Sequence, residues 1–172
     1  MASRVTRREF SMCVAAVGSG IGLAARTIAA AGEEISRTAE SIHQEVSINA
    51  SSRRVHEALT DAGQFTKVTT FSPVRNAAPA QIGREAGESF SIFGGHITGR
   101  HVELVPFHRI VQAWRVADWE SGVYSIVRFD LADRGNQTLI AFDHTGFPRG
   151  KAEHLAEGWR LNYWEPLKKY FA

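Results

Sequence analysis

Residues 144–171 read HTGFPRGKAEHLAEGWRLNYWEPLKKYF. The stretch opens at the end of an alternating run, passes two breakers, Pro148 and Gly150, and then changes period. From Lys151 to Tyr170 the apolar positions Leu155, Trp159, Tyr163, Leu167 and Tyr170 recur every three or four residues, the spacing of one helix face. Pro166 sits inside that helix and removes the bond to the Asn162 carbonyl, so a bend is expected there. A helix with a single apolar stripe needs a surface to cover. What precedes it decides which surface.

Five short periodic runs lie upstream: Glu88–Phe93, Ile97–Leu104, Arg109–Val116, Tyr124–Leu131 and Thr138–Thr145. Gly94-Gly95, Pro106, Glu120-Ser121-Gly122 and Asp133-Arg134-Gly135-Asn136 punctuate them. Connections this short join antiparallel strands, not parallel ones. Ser41–Ala50 adds a further strand, with Ile42, Gln44, Val46 and Ile48 on one face. Ser51-Ser52 then caps a short helix through Leu59, Asp61-Ala62-Gly63 breaks it, and Phe65–Thr70 forms a second short helix or turn. Pro73–Gly83 reads as loop. The expected fold is α+β: a curved antiparallel sheet of about six strands, wrapped on the long C-terminal helix, with two short helices after the first strand.

The first 31 residues belong to a different pattern. Arg4, Arg7 and Arg8 precede a run without charge from Met12 to Ala25, and Ala29-Ala30-Ala31 supplies a small-residue cleavage site. The run is too short to span a bilayer, which takes about 20 apolar residues. Thr6-Arg7-Arg8-Glu9-Phe10 resembles the twin-arginine export consensus, and the residues after Phe10 depart from it. The alternative, an amphipathic first helix, is disfavoured because its polar residues do not share a face. The expected organisation is a twin-arginine signal at 1–31 (Arg7, Arg8, Phe10, Ala29, Ala31), a linker at 32–41 and one domain at 42–172. Setting the signal aside removes four arginines and one glutamate, which turns the formal charge of +2 into −1 and leaves no case for a nucleic-acid partner. It also removes Cys13, the single cysteine, and with it disulfides, thiolate catalysis and cysteine metal sites. The expected destination is the periplasm or the exterior, reached folded, with no membrane anchor after cleavage.

The order of elements resembles the START-like helix-grip fold shared with pollen-allergen proteins and polyketide cyclases. Within it, His144, Gly146, Phe147, Pro148, His154, Gly158, Trp159 and Leu167 resemble the C-terminal hallmark of proteins related to the activator of the ninety-kilodalton heat-shock ATPase. Gly99, Pro106, Arg109, Ile110 and Trp114 are similar to that family's central hairpin, and 54–67 to its first helical segment. The likeness covers about residues 43–171 and implies a cavity between sheet and helix.

Alternation places Phe90 and Ile92, then Gln112 and Trp114, then Phe129, then Phe142 and His144 towards that cavity, with Trp159 and Tyr163 as its lid. His144 ends an apolar face. It could bond a ligand, act as acid–base, or hold the turn before the helix. Gly158 is expected to allow close approach of helix and sheet. His96, His101, Glu103 and His108 invite a metal reading; His101 and Glu103 would share a strand face, but no spacing fits a zinc pattern, so no metal or cofactor is expected. Arg100 and Arg115 could pair with Glu88 or Asp143. The reading is therefore an exported, non-enzymatic protein that binds a small apolar or amphipathic molecule. Its partners are that ligand and the twin-arginine export machinery, with a homodimer left open. The alternatives are a cyclase- or hydrolase-type enzyme using His144, with Trp114 or Tyr163 orienting substrate, and a chaperone-ATPase-activating interaction module.

Overall fold

In β1 (Glu40–Ile48) burial alternates along the strand, and Ile42 and Ile48 sink into the core. The computed structural model in which this is seen describes residues 40–74 and 77–172. The expected signal, with Arg7, Arg8, Phe10, Ala29 and Ala31, and nearly all of the expected linker lie outside the described residues. After β1 come α1 (Ser52–Thr60) and α2 (Ala62–Thr69). The single residue between them, Asp61, stays extended, and its carboxylate accepts from the Gln64 N–H at 3.0 Å. It thus stops one helix and caps the next.

The sheet continues with β2 (Gln81–Ile82), β3 (Ser89–Ile92), β4 (Ile97–Val105), β5 (Arg109–Val116), β6 (Ser125–Arg134) and β7 (Gln137–Phe147). These are seven strands, in the order β1-β7-β6-β5-β4-β3-β2, with every pair antiparallel. The strand beyond the expected count is β2, whose two residues are too few to show a period. Gly99 on β4 faces Trp114 on β5, and a Cβ there would lie 2.2 Å from the Ala113 carbonyl oxygen and 2.4 Å from the Phe90 ring. Only glycine lets Phe90 lie flat across the strand.

Two irregularities re-aim side chains. A bulge between His101 and Glu103 turns Val102 outwards while His101 stays buried, so His101 and Glu103 do not share a face as a regular strand would require. A second shift, where Glu40 meets Phe147 and Ser41 meets Thr145, skips Gly146, whose φ of 77° suits glycine.

The C-terminal element is α3 (Ala152–Trp159), one π-helical turn (Arg160–Trp164) and α4 (Glu165–Tyr170). The expected bend at Pro166 is therefore taken up as a π-turn directly before it, in which the Glu165 N–H donates to the Arg160 carbonyl five residues back. Leu155, Trp159, Tyr163 and Leu167 face the sheet, and Ile110, Val127, Ile140 and Phe142 meet them from below. The α1–α2 pair closes the far end: the Ser52 N–H and hydroxyl both donate to the Asp133 carboxylate on β6, each at 3.0 Å.

Candidate functional site

Because the strands alternate direction, the β3–β4 turn, the β5–β6 loop and the start of α3 gather at one end of the sheet. There they enclose a cleft of about 390 Å³, within the size range of small-molecule sites. Its walls are Phe93, Ile97, Trp114, Val116, Trp119, Leu155, Trp159, Leu161 and Tyr163, and its rim carries His96, Asp118, Lys151, His154 and Glu157.

The aromatic walls are fixed from behind. Trp159 Nε1 donates to His144 Nδ1 at 3.0 Å, so Nδ1 is an acceptor and the imidazole proton sits on Nε2. That nitrogen donates to Ser125 Oγ at 2.8 Å, and the serine hydroxyl donates in turn to the Trp114 carbonyl at 2.9 Å. One chain of bonds thus joins α3, β7, β6 and β5, and every polar atom in it is satisfied. Burial alone pushes the His144 pKa down to about 3. The Trp119 backbone is bracketed by its own N–H, which donates to the Val116 carbonyl at 3.1 Å, and by the Arg115 guanidinium, which donates to its carbonyl at 2.7 Å. Arg100 likewise donates to the Gly87 carbonyl; neither arginine pairs with Glu88 or Asp143.

Two further features shape the opening. Phe93 adopts a φ of 52°, costly for a bulky residue, and its ring packs edge-on against Tyr163 at 5.8 Å. Asn162, in the π-turn, donates to the Gly158 carbonyl at 3.0 Å and accepts from the Ser72 hydroxyl at 2.7 Å. This straps the segment after α2 onto the helix and brings Val74 to the lip. Burial pushes the Tyr163 phenol well above its ordinary value, against the pull of the neighbouring Trp114 indole, so it stays protonated. Trp114 Nε1 is nevertheless buried without a well-formed hydrogen bond. On the rim, Arg160 neutralises Glu157 through two bonds of 2.6 and 2.8 Å, while Lys151 and Asp118 have no ionic partner among the described residues.

Of the residues expected to line a cavity, Trp114, Trp159 and Tyr163 stand on the cleft. Phe90, Ile92, Gln112 and Phe129 surround only a residual gap of about 10 Å³ in the middle of the sheet, the space of roughly one water. Phe142 and His144 reach neither space; Phe142 packs against Trp159 at 4.4 Å, and His144 is spent on its two bonds. Gly158 does not serve close packing: nothing lies within 4 Å of where its Cβ would be, and it borders the cleft. Sequence reasoning missed Phe93, Ile97, Trp119, Lys151 and His154, all at turns or element ends, where side-chain alternation carries no information. The signal available was topological, since a meander places alternate turns at the same end. Among the described residues no group of three or more metal-ligating side chains converges. His101 is buried against Phe90, and Gln112 lies near its Nδ1 at 3.5 Å.

Comparison with known proteins gives a consistent picture. The family model described as "Activator of Hsp90 ATPase homolog 1-like protein" matches residues 49–172. The activator of 90 kDa heat shock protein ATPase homolog 1 of Homo sapiens is 29% identical over 116 residues, which are 66% of this chain and 34% of that protein. The chain spans about a third of the length of the curated relatives it matches. An HSP90 activator from Plasmodium falciparum superposes with a TM-score of 0.64 at 26% identity, covering 72% of this chain and 89% of the other. The Aha1 dimer from Colwellia psychrerythraea superposes with a TM-score of 0.62 at 20% identity, covering 77% and 96%, a likeness of fold.

Proposed function

The chain belongs to the Activator of Hsp90 ATPase homolog 1-like family, and from that premise we propose that it is an exported protein that binds a small apolar or amphipathic molecule in the cleft at the head of α3. The observation that carries the reading is the cleft itself: about 390 Å³ of space with fixed aromatic walls and a polar rim, in a domain whose interior is otherwise filled. Apolar walls left facing water are unfavourable, and a ligand would remove that surface from it.

The enzyme reading has less support. A general base works best with a pKa near the operating pH and within reach of substrate. His144 has a pKa of about 3, lies off the cleft and has both ring nitrogens bonded. The interaction-module reading is supported by the relatives, which are named for activating a chaperone ATPase; this chain corresponds to about a third of the human protein. A homodimer is proposed on weaker ground, the shared fold of the Colwellia dimer.

Two measurements test binding. Native mass spectrometry of the full chain purified without denaturation should show an added small-molecule mass, and the stripped protein should take up anilinonaphthalene sulfonate with a blue-shifted emission. Absence of both would overturn the reading. Stimulation of a 90-kDa heat-shock ATPase by the full chain would instead favour the interaction module.

A further inference from the structure

We propose that the occupant of the cleft is a flat aromatic molecule and not a flexible alkyl chain; this rests on the cleft being a binding site at all. Trp119 packs edge-on against Trp114 at 5.7 Å, and Trp159 packs on the same ring at 5.4 Å with an interplanar angle of 34°. Trp119 and Trp159 each pack on Trp114 and not on each other, and all three indoles stand on the cleft. Flat rings fill such a space with offset or edge contacts that an alkyl chain cannot make.

The walls are also rigid. Trp159 is tethered through its indole nitrogen to His144, Ser125 holds the Trp114 carbonyl, and bonds on both sides of its backbone hold Trp119. A pocket that cannot remodel favours a ligand that loses little conformational freedom on entry.

The test compares naphthoate with undecanoate, two carboxylates of equal carbon count, by isothermal titration calorimetry on the full chain stripped of any bound molecule. Naphthoate should bind at least about tenfold more tightly. Trp119→Leu should weaken naphthoate about tenfold, and Trp119→Phe should restore most of the loss. Near-ultraviolet circular dichroism checks that both variants are folded, and the comparison on the unaltered protein stands without them. Equal or tighter binding of undecanoate overturns the aromatic assignment and leaves the binding reading in place. Binding of neither probe overturns the aromatic assignment, and joined with absent dye uptake it overturns both.

Discussion

Gly158 occupies a helical position in α3 and opens onto empty space. Glycine in a helix interior costs about 0.5–1 kcal/mol relative to alanine. Gly158→Ala should therefore raise the midpoint of thermal unfolding by a few degrees, since its methyl group meets nothing. Gly158→Leu would place a branched side chain in the cleft and should abolish dye uptake without unfolding the protein. The pair separates stability from binding at one position. His144 gives a second prediction at this scale. Its folded pKa of about 3 lies below the ordinary 6.5, so its contribution to stability is complete above pH 6.5 and is lost as pH falls towards 3. The loss approaches about 1.4 kcal/mol per pH unit across that window. Denaturant titrations at pH 7.5 and 4.5 should show it, and the His144 ring resonance should not shift between those values. A resonance that titrates near 6.5 would remove this account of the buried relay.

Gly99 shows how an element depends on a missing side chain. A Cβ at 2.2 Å from a carbonyl oxygen and 2.4 Å from the Phe90 ring cannot be accommodated without moving β4 or the ring. Gly99→Ala should cost about 2–3 kcal/mol, read as a lower denaturation midpoint at unchanged slope. In the C-terminal element, Pro166→Ala restores a donor facing Asn162. A regularised turn would rotate Leu161 and Tyr163 on the cleft wall, so ligand affinity should fall more than stability does. The strands and the helical stripe were legible because alternation and the four-residue period record which face is buried, as with Ile110, Gln112 and Trp114. Three features were not. The two residues of β2 hold no period, the bulge at Val102 has no signature, and the π-turn answers the proline with one extra residue instead of a simple kink. The cleft was half legible: its helix-borne walls Trp159 and Tyr163 lay on the stripe, whereas Trp119 and Phe93 are aimed by turns whose geometry no side-chain period encodes.

At the scale of the molecule the two faces of the sheet divide the labour. The inner face carries the aromatic core. The outer face carries paired charges, with Arg109 and Arg128 both on Asp130 and His43 on Asp143 at 2.7 Å. Such exposed pairs contribute little stability but keep a one-sided sheet in water. The domain as described has no cysteine to oxidise, which suits the exported location proposed from residues 1–31. Fusing residues 1–34 to a reporter tests that address: replacing Arg7 and Arg8 by lysines should abolish export by the twin-arginine route, and unchanged transport would refute it. The tryptophans give the protein one more property. All four belong to a single string of ring contacts, Trp119 to Trp114 to Trp159 to Trp164. Rings that close exchange excitation before they emit, so their fluorescence should be strongly depolarised even in a rigid, slowly tumbling molecule. The fold thereby contains an optical antenna with one end in the cleft, and a molecule that enters there would alter the light from every indole at once.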